Sequence, residues 1–210
     1  MQVLEALCES VQKGKSKDTA ELAAKALAEG VAPETILDKA LIKAMEIVGE
    51  KYKNGEIFVP EMLIAARALN KALEILEPEM LKASVKAKGT ILLGTVKGDL
   101  HDIGKNLVGI MFKGSGFNVI DLGTDVAVET FVAAAIEHKP DIIGLSSLLT
   151  TTMNYMQLII EGVRKNGILS KVIVGGAPVT SEFAAKINAD GYADNAASAV
   201  DLGKSLLRTA

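Results

Sequence analysis

Along the first 78 residues, apolar side chains return every three or four positions, the period of helices with one buried face. The spacing predicts four of them. The first runs roughly Val3–Lys13, and the second follows "KSKDTA", where Ser16, Asp18 and Thr19 are N-cap residue types, and stops at Gly30. Pro33 suits the first turn of a third, whose Ile36, Leu37, Ala40, Leu41, Ala44, Met45 and Val48 form one stripe until "KNGEIFVP" breaks it. Pro60 opens a fourth, with Met62, Leu63, Ala66, Leu69, Leu73 and Leu76 at helical spacing, closed before Pro78. Four short antiparallel helices form a small bundle.

After a charged connector the period changes. Short apolar runs, "TILLGTV" (90–96), "FNVIDLG" (117–123), "DIIGLSS" (141–147), "KVIVGG" (171–176) and a weaker "DGYA" (190–193), are each followed by an amphipathic stretch. A β-α unit repeated five times predicts a doubly wound parallel sheet, flavodoxin-like with strand order 2-1-3-4-5. The continuous apolar character of the first four runs predicts strands buried on both faces. The expected organisation is therefore α/β, with a helical bundle over 1–78, a linker over 79–89 and a Rossmann-like sheet domain over 90–210.

Composition narrows the chemistry. A hydrophobic share of 49% supports two cores without cross-links, and the one cysteine, Cys8, has no internal disulfide partner. With no apolar run long enough for a membrane span or signal peptide, a reducing cytoplasm is the expected location. The net charge of −3 and scattered lysines argue against nucleic acid, which selects clustered cations. Aromatics at 4% leave few platforms for stacking bases or sugars.

In sheets of this kind ligands bind beyond the carboxyl ends of the strands, where strand order reverses. Three unusual loops fall there: "KGDLHDIG" after the first strand, "SSLLTTT" after the third and "GGAPVT" after the fourth. His101 in the first loop is one of two histidines in the chain. A metal-dependent phosphohydrolase or a zinc centre needs more histidine or cysteine than Cys8, His101 and His138 supply. A phosphoreceiver domain shares the strand order but wants clustered acids and a lysine after the last strand; Asp99 and Asp102 meet half of that pattern. Each loop taken alone is also a simple turn: an aspartate capping a helix, "TTT" at a helix start, "GG" in a tight strand-to-helix connection.

Taken together, Asp99-x-His101-x-x-Gly104, Ser146-x-Leu148 and Gly175-Gly176 resemble the three-part signature of base-off, histidine-on cobalamin-binding domains in order, residue type and spacing. Methionine synthase carries it, as do the corrinoid proteins of anaerobic methyltransferase systems, which also place a four-helix bundle ahead of the sheet. The segment 53–78 resembles the matching helical segment of those proteins, so the likeness covers nearly the whole chain.

The resemblance implies a cofactor, cobalamin or a related cobamide, cycling between methylcob(III)amide and cob(I)amide. It implies that His101 Nε2 is the lower ligand of cobalt and that Asp99 accepts the Nδ1 proton, the pair storing one proton when cobalt releases its axial ligands. Thr152 stands where methionine synthase has the serine that continues this relay. Leu100, Asp102, Ile103 and Gly104, then Ser146, Leu148, Thr150, Gly175 and Gly176, would line the corrin and the channel for its displaced nucleotide tail, with Tyr192 and Asn195 in the last contact loop. Phe58 matches an aromatic cap residue of the helical domain, and is equally a buried bundle-edge side chain. The connector at 78–89 would be the hinge of a movable cap.

The function so implied is that of a methyl carrier rather than a complete enzyme. It would take methyl onto Co(I) from a substrate:corrinoid methyltransferase whose donor is a methoxyaromatic, methanol, a methylamine or a quaternary amine. A second methyltransferase would pass the methyl to tetrahydrofolate or coenzyme M, and an ATP-dependent reductive activase would rescue accidental Co(II). The alternatives are a cobalamin-binding regulatory sensor, for which no basic output module is visible, and an adenosylcobalamin mutase subunit, for which a substrate domain is missing.

Overall fold

The computed structural model describes residues 2–83 and 87–208. The chain divides into two compact units, Met1–Lys88 with Lys113–Gly116, and Gly89–Phe112 with Phe117–Ala210. Among the described residues no helix is long and apolar enough to cross a membrane.

In the helical unit, α1 (Gln2–Gln12) and α2 (Ser16–Ala28) are followed by α3 (Pro33–Ile36), a π-helical segment over Leu37–Ile42, α4 (Lys43–Lys53) and α5 (Val59–Lys82). The core joins Leu7 and Val11 of α1 to Ala23 and Ala26 of α2, Met45 and Val48 of α4, and Met62, Ala65, Leu69 and Leu76 of α5. Alanines at the α2 and α5 faces let those two helices pack along one another. The wider turn over Leu37–Ile42 buries Ile42 as well as Leu37, Ala40 and Leu41, which a strict 3.6-residue stripe does not.

Three expectations for this unit are corrected. No side chain caps α2; Thr19 instead turns inward, fully buried, and its hydroxyl lies 2.6 Å from that of Ser10, so a cross-helix bond replaces the cap. The third helix is one continuous run only through its π-helical segment. The fourth does not close before Pro78 but runs to Lys82, into what the sequence suggested was linker. Pro78 sits on the exposed face, where its ring meets solvent and only the bond to the Glu74 carbonyl is forfeited. Pro78→Ala restores that bond and is expected to raise the helical unit's stability by about 1 kcal/mol. Thermal melting followed by circular dichroism checks this, and a lower midpoint would count against a helix continuing through 78. The remainder of the 79–89 linker includes residues 84–86, which lie outside the described residues.

The second unit is a five-stranded parallel sheet in the order β2-β1-β3-β4-β5, with β1 Thr90–Thr95, β2 Asn118–Asp121, β3 Ile142–Ser146, β4 Lys171–Gly175 and β5 Gly191–Tyr192. Register sets Ile91 beside Ile142 and Thr95 beside Ser146, and Ser146 beside Gly175, so β1, β3 and β4 end level. Helices α7 (Val128–His138), α8 (Asn154–Lys165) and α9 (Ser181–Lys186) cover one face. There Leu92, Ile143, Leu145, Val172 and Val174 meet Phe131, Ala135, Met156, Ile159, Ile160 and Ile187. The Phe131 ring lies on Gly94, where an added Cβ would come within 2.5 Å of it, and its burial is worth about 2 kcal/mol. On the opposite face α6 (Ile103–Gly114) sets Gly109 against Leu93, and α10 (Ala196–Arg208) sets Gly203 against Phe112 and Ile142. Unlike β1, β3 and β4, strand β2 is not buried on both faces: as the sheet edge it keeps Asn118 and Asp121 exposed and Val119 and Ile120 half-buried.

Candidate functional site

Beyond the level ends of β1 and β3, the chain turns sharply at Val96–Asp99, closed by the Asp99 amide donating to the Val96 carbonyl at 3.1 Å. Gly98 takes φ +80° in the third position, where a side chain would be strained. The turn drives Asp99 inward to complete burial and leaves His101 half in solvent, its side chain 52% exposed.

Every lone-pair direction of the Asp99 carboxylate meets a donor. One oxygen, Oδ1, accepts the His101 amide at 3.1 Å and sits 2.8 Å from His101 Nδ1. The other, Oδ2, accepts the amides of Leu148 at 2.7 Å and Leu149 at 3.2 Å and the Thr152 hydroxyl at 3.1 Å, with the Ser147 hydroxyl at 3.4 Å. Burial by itself raises the Asp99 carboxyl. The amides of Leu148 and His101, the His101 ring and the Leu149 amide together outweigh it and hold the group well below the usual carboxylate range. An ionised carboxylate only accepts, so the proton between the two rests on His101 Nδ1. In the neutral imidazole Nε2 is then the bare nitrogen, and it makes no hydrogen bond among the described residues. The Thr95 hydroxyl, donating to the His101 carbonyl at 2.9 Å, holds the same residue from behind.

The third loop enters through backbone. Gly176 has φ +132° and packs so closely on the end of β3 that a Cβ there would stand 1.8 Å from the Ser147 carbonyl oxygen. That carbonyl belongs to the peptide whose N–H, on Leu148, bonds Asp99. Gly175 continues the contact on its other side, its missing Cβ 3.0 Å from the Ala193 carbonyl.

Of the residues singled out in the sequence, Asp99, His101, Leu148 and Thr152 meet directly, and Ser146, Gly175 and Gly176 frame them. Leu100, Ile103, Leu148 and Leu149, on or next to the loops that hold His101 and brace Asp99, are exposed apolar side chains, at 74%, 73%, 43% and 39%. Gly104 opens α6 with nothing within 4 Å of where its Cβ would be, and Asp102, exposed before it, bonds the Asn106 side chain at 3.0 Å. Thr150 is exposed. Two residues lie apart from this network. Tyr192 packs against the core under α7–α9, and Asn195 caps α10 by accepting the Ser198 amide at 2.9 Å. Phe58 belongs to the helical unit and is 66% exposed, so it is not a buried bundle-edge side chain.

Two participants escaped the sequence reading. Ser147, fully buried, lies 2.8 Å from the Thr152 hydroxyl, and both hydroxyls reach the Leu149 carbonyl. Its signal was the doubled serine of "SS", of which strand alternation lets only one turn towards Asp99. Asp125, from "GTDV" after β2, bonds the loop of His101 and was legible only as a turn residue.

Among the described residues no three His, Cys, Asp or Glu side chains gather into a metal site. What the protein offers is one imidazole, oriented from behind by Asp99, on loops that expose several apolar side chains.

Two family models match, each described as a B12 binding domain, one over residues 89–201 and one over residues 3–77. A corrinoid protein of Desulfitobacterium hafniense is 43% identical over 99% of this chain and 98% of its own. Trimethylamine corrinoid protein 1 of Methanosarcina mazei is 45% identical over 90% of this chain and 89% of its own. Among solved structures, a chain of the methanol:cobalamin methyltransferase complex from Methanosarcina barkeri superposes with a TM-score of 0.89 at 29% identity, over 100% of this chain and 81% of that one. A cobalamin-binding protein from D. hafniense superposes at 0.81 with 33% identity, over 97% of this chain and 98% of that one. With B12 binding domain models matched in both units, and corrinoid relatives 43–45% identical over 89–98% of their own length, the chain belongs to the family of B12-binding corrinoid proteins.

Proposed function

We propose that this chain carries a methyl group on a cobamide held by His101, receiving it from one methyltransferase and delivering it to another. The carrying observation is the Asp99–His101 pair, which leaves Nε2 as an exposed lone pair while Nδ1 is engaged at 2.8 Å. The residues present fit a corrinoid. His101 Nε2 would supply the one protein nitrogen such a group needs, and the exposed Leu100, Ile103, Leu148 and Leu149 side chains would suit its apolar face. Gly104 has nothing within 4 Å of where its Cβ would be, which leaves room for a tail beside the first loop, while Gly175 and Gly176, packed on the Ala193 and Ser147 carbonyls, are assigned to the tail on the resemblance alone. When bound, the corrinoid cobalt supplies the centre that accepts a methyl cation equivalent from one partner and yields it to the next.

The chain's own residues tune that centre. Asp99, held ionised chiefly by the Leu148, His101 and Leu149 amides and the His101 ring, fixes the tautomer and aims the ring; Thr152, with Ser147 behind it, donates to the carboxylate. Storage of one proton by this pair when Nε2 is not engaged is assigned on the resemblance. Thr150, Leu100, Asp102, Ile103, Ser146, Tyr192 and Asn195 are assigned to cofactor contact on the resemblance, Tyr192 and Asn195 from outside the bonded network. Phe58, the cap role of residues 1–78 and the hinge over 79–89 rest on the same resemblance.

Relatives are named for methanol, dimethylamine and trimethylamine systems, and one such chain is crystallised in a complex named for its methyltransferase. We infer a methyl donor of that simple C1 class, a substrate:corrinoid methyltransferase as the first partner, a second methyltransferase acting on tetrahydrofolate or coenzyme M, and an ATP-dependent reductive activase, all in the cytoplasm.

Loading the protein with cobamide, poising it as Co(II) and recording paramagnetic resonance with ordinary and ¹⁵N-labelled histidine tests the ligand. The nitrogen splitting is expected to change with the label. In His101→Ala the splitting should vanish and cobamide affinity fall by roughly 100-fold, with folding stability within about 0.5 kcal/mol because the side chain is half exposed. A splitting that ignores the label would sink the proposal.

A further inference from the structure

We propose that Asp125, from the loop between β2 and α7, is a positioning residue for His101, acting through the main chain of Gly98 and Asp99. This inference deepens the reading above and rests on it. Asp125 has φ +55°, a backbone conformation that costs most L residues and that aspartate and asparagine tolerate better than others. From that conformation both ends of the residue reach the turn ahead of His101. Its N–H donates to the Asp99 carbonyl at 2.9 Å, and its Oδ1 accepts the Gly98 N–H at 2.8 Å. The next residue extends the grip, since Val126 pairs with Val96 and its N–H donates to the Thr95 carbonyl at 3.0 Å.

Gly98 is the freest hinge in this turn, and it stands immediately before the carboxylate that aims the imidazole. Nothing on the side-chain network of Asp99 restrains the φ and ψ of Gly98, because those bonds all reach the carboxylate from the His101 and Leu148 side. The Asp125 carboxylate supplies the restraint from the opposite side, on the Gly98 N–H itself. Together with the Thr95 hydroxyl on the His101 carbonyl, it brackets residues 98–101 between two clamps. The Lys97 ammonium lies 3.2 Å from the same carboxylate, but both side chains are nearly half exposed, so this ion pair contributes little. The Gly98 amide, more than Lys97, lowers the Asp125 carboxyl below its ordinary value. The working contact is therefore the acceptor on Gly98 N–H, and any side chain that keeps that oxygen should keep the position of His101.

Two variants of the full chain separate this role from a general effect on folding. Asp125→Asn keeps an acceptor oxygen and a residue suited to positive φ. Asp125→Gly removes the acceptor while relieving backbone strain, so it is expected to fold with a midpoint close to the parent's. In the cobamide-free protein, the ¹⁵N-coupled proton on His101 Nδ1 should exchange with solvent about tenfold faster in Asp125→Gly than in the parent or Asp125→Asn. After loading, Asp125→Gly should bind cobamide about tenfold more weakly and show a diminished axial-nitrogen splitting, with Asp125→Asn matching the parent. Equal exchange and equal affinity in Asp125→Gly would overturn the proposal, as would an asparagine variant as impaired as the glycine one. A parent protein that lacks the axial splitting would instead refute the ligand assignment, and the cobamide-free exchange comparison would still decide whether Asp125 positions the ring.

Discussion

Asp99→Asn is expected to destabilise the sheet unit by about 3 kcal/mol and to weaken cobamide binding by at least roughly tenfold. The carboxylate accepts three backbone amides, a hydroxyl and an imidazole from two sides, in a place with no exposure to water. An asparagine has one accepting oxygen, so its NH2 must point either at the Leu148 and Leu149 amides or at the His101 amide and ring. Either choice sets donor against donor where both are buried, and such unsatisfied groups cost about 1–3 kcal/mol apiece. If the amide oxygen faces the loop, Nδ1 of His101 can relieve the conflict by giving up its proton to Nε2. The ring would then present N–H where a bare nitrogen is needed. Thermal melting of the cobamide-free protein measures the first effect, with a fall of about 10 °C expected, and a histidine-labelled tautomer measurement checks the second. A variant as stable as the parent, with Nε2 still bare, would show that the carboxylate is dispensable.

The pH dependence has a definite sign. A carboxyl held below its ordinary value contributes stability above the unfolded pKa of about 3.9, and loses it as pH falls from there towards the depressed folded value. The stability gap between parent and Asp99→Asn should therefore be constant at neutral pH and narrow below about pH 4. Urea unfolding across that range measures it. A gap that narrows between pH 7 and 5 would point to a different titrating group.

Gly176→Ala is expected to cost about 3 kcal/mol as well, by another route. An alanine at φ +132° is strained whatever the room, and here its Cβ would lie inside the Ser147 carbonyl oxygen. The backbone must yield by more than a contact's tolerance. The group in its way is the peptide joining Ser147 to Leu148, whose other end donates the 2.7 Å bond to Asp99. Tilting that peptide carries the strain to the carboxylate and to His101. The variant should therefore lose cobamide affinity along with stability, and lose it more than an equally destabilising core substitution such as Ile159→Val combined with Ile143→Val. Comparing affinity against melting temperature across these variants checks the coupling; points falling on one line would show that Gly176 acts on stability alone.

The parts of this molecule that were legible in the sequence are those set by short-range periodicity. The runs "TILLGTV", "DIIGLSS" and "KVIVGG" became β1, β3 and β4 because central strands bury both faces, and a continuous apolar run has few other uses. The Asp99–His101 pairing was legible only through the resemblance; it holds in the structure because two residues apart across a turn the side chains can touch without help from the rest of the fold. "FNVIDLG" was misjudged because an edge strand and a central strand carry the same local pattern, and only pairing decides which is which. Pro78 was read as a stop because its local cost is real, but one missing bond on an exposed face does not end a helix anchored by Leu69, Ala72 and Leu76. Thr19 illustrates the converse, a good capping residue drawn inward by a partner on another helix.

By itself, then, the sequence determined the β-α order and the three loops at the strand ends, besides carrying the resemblance that pointed to Asp99 and His101. These follow from side-chain chemistry and from periods of two and 3.6 residues, which are properties of neighbours along the chain. Only the tertiary structure decided which oxygen of Asp99 serves which donors, that Ser147 stands behind Thr152, that Gly176 is a glycine because a carbonyl occupies its Cβ position, and that Asp125 clasps Gly98. Hydrogen bonds discriminate over a few tenths of an ångström and some tens of degrees. Between residues tens of positions apart, that accuracy comes only from strand register and loop packing.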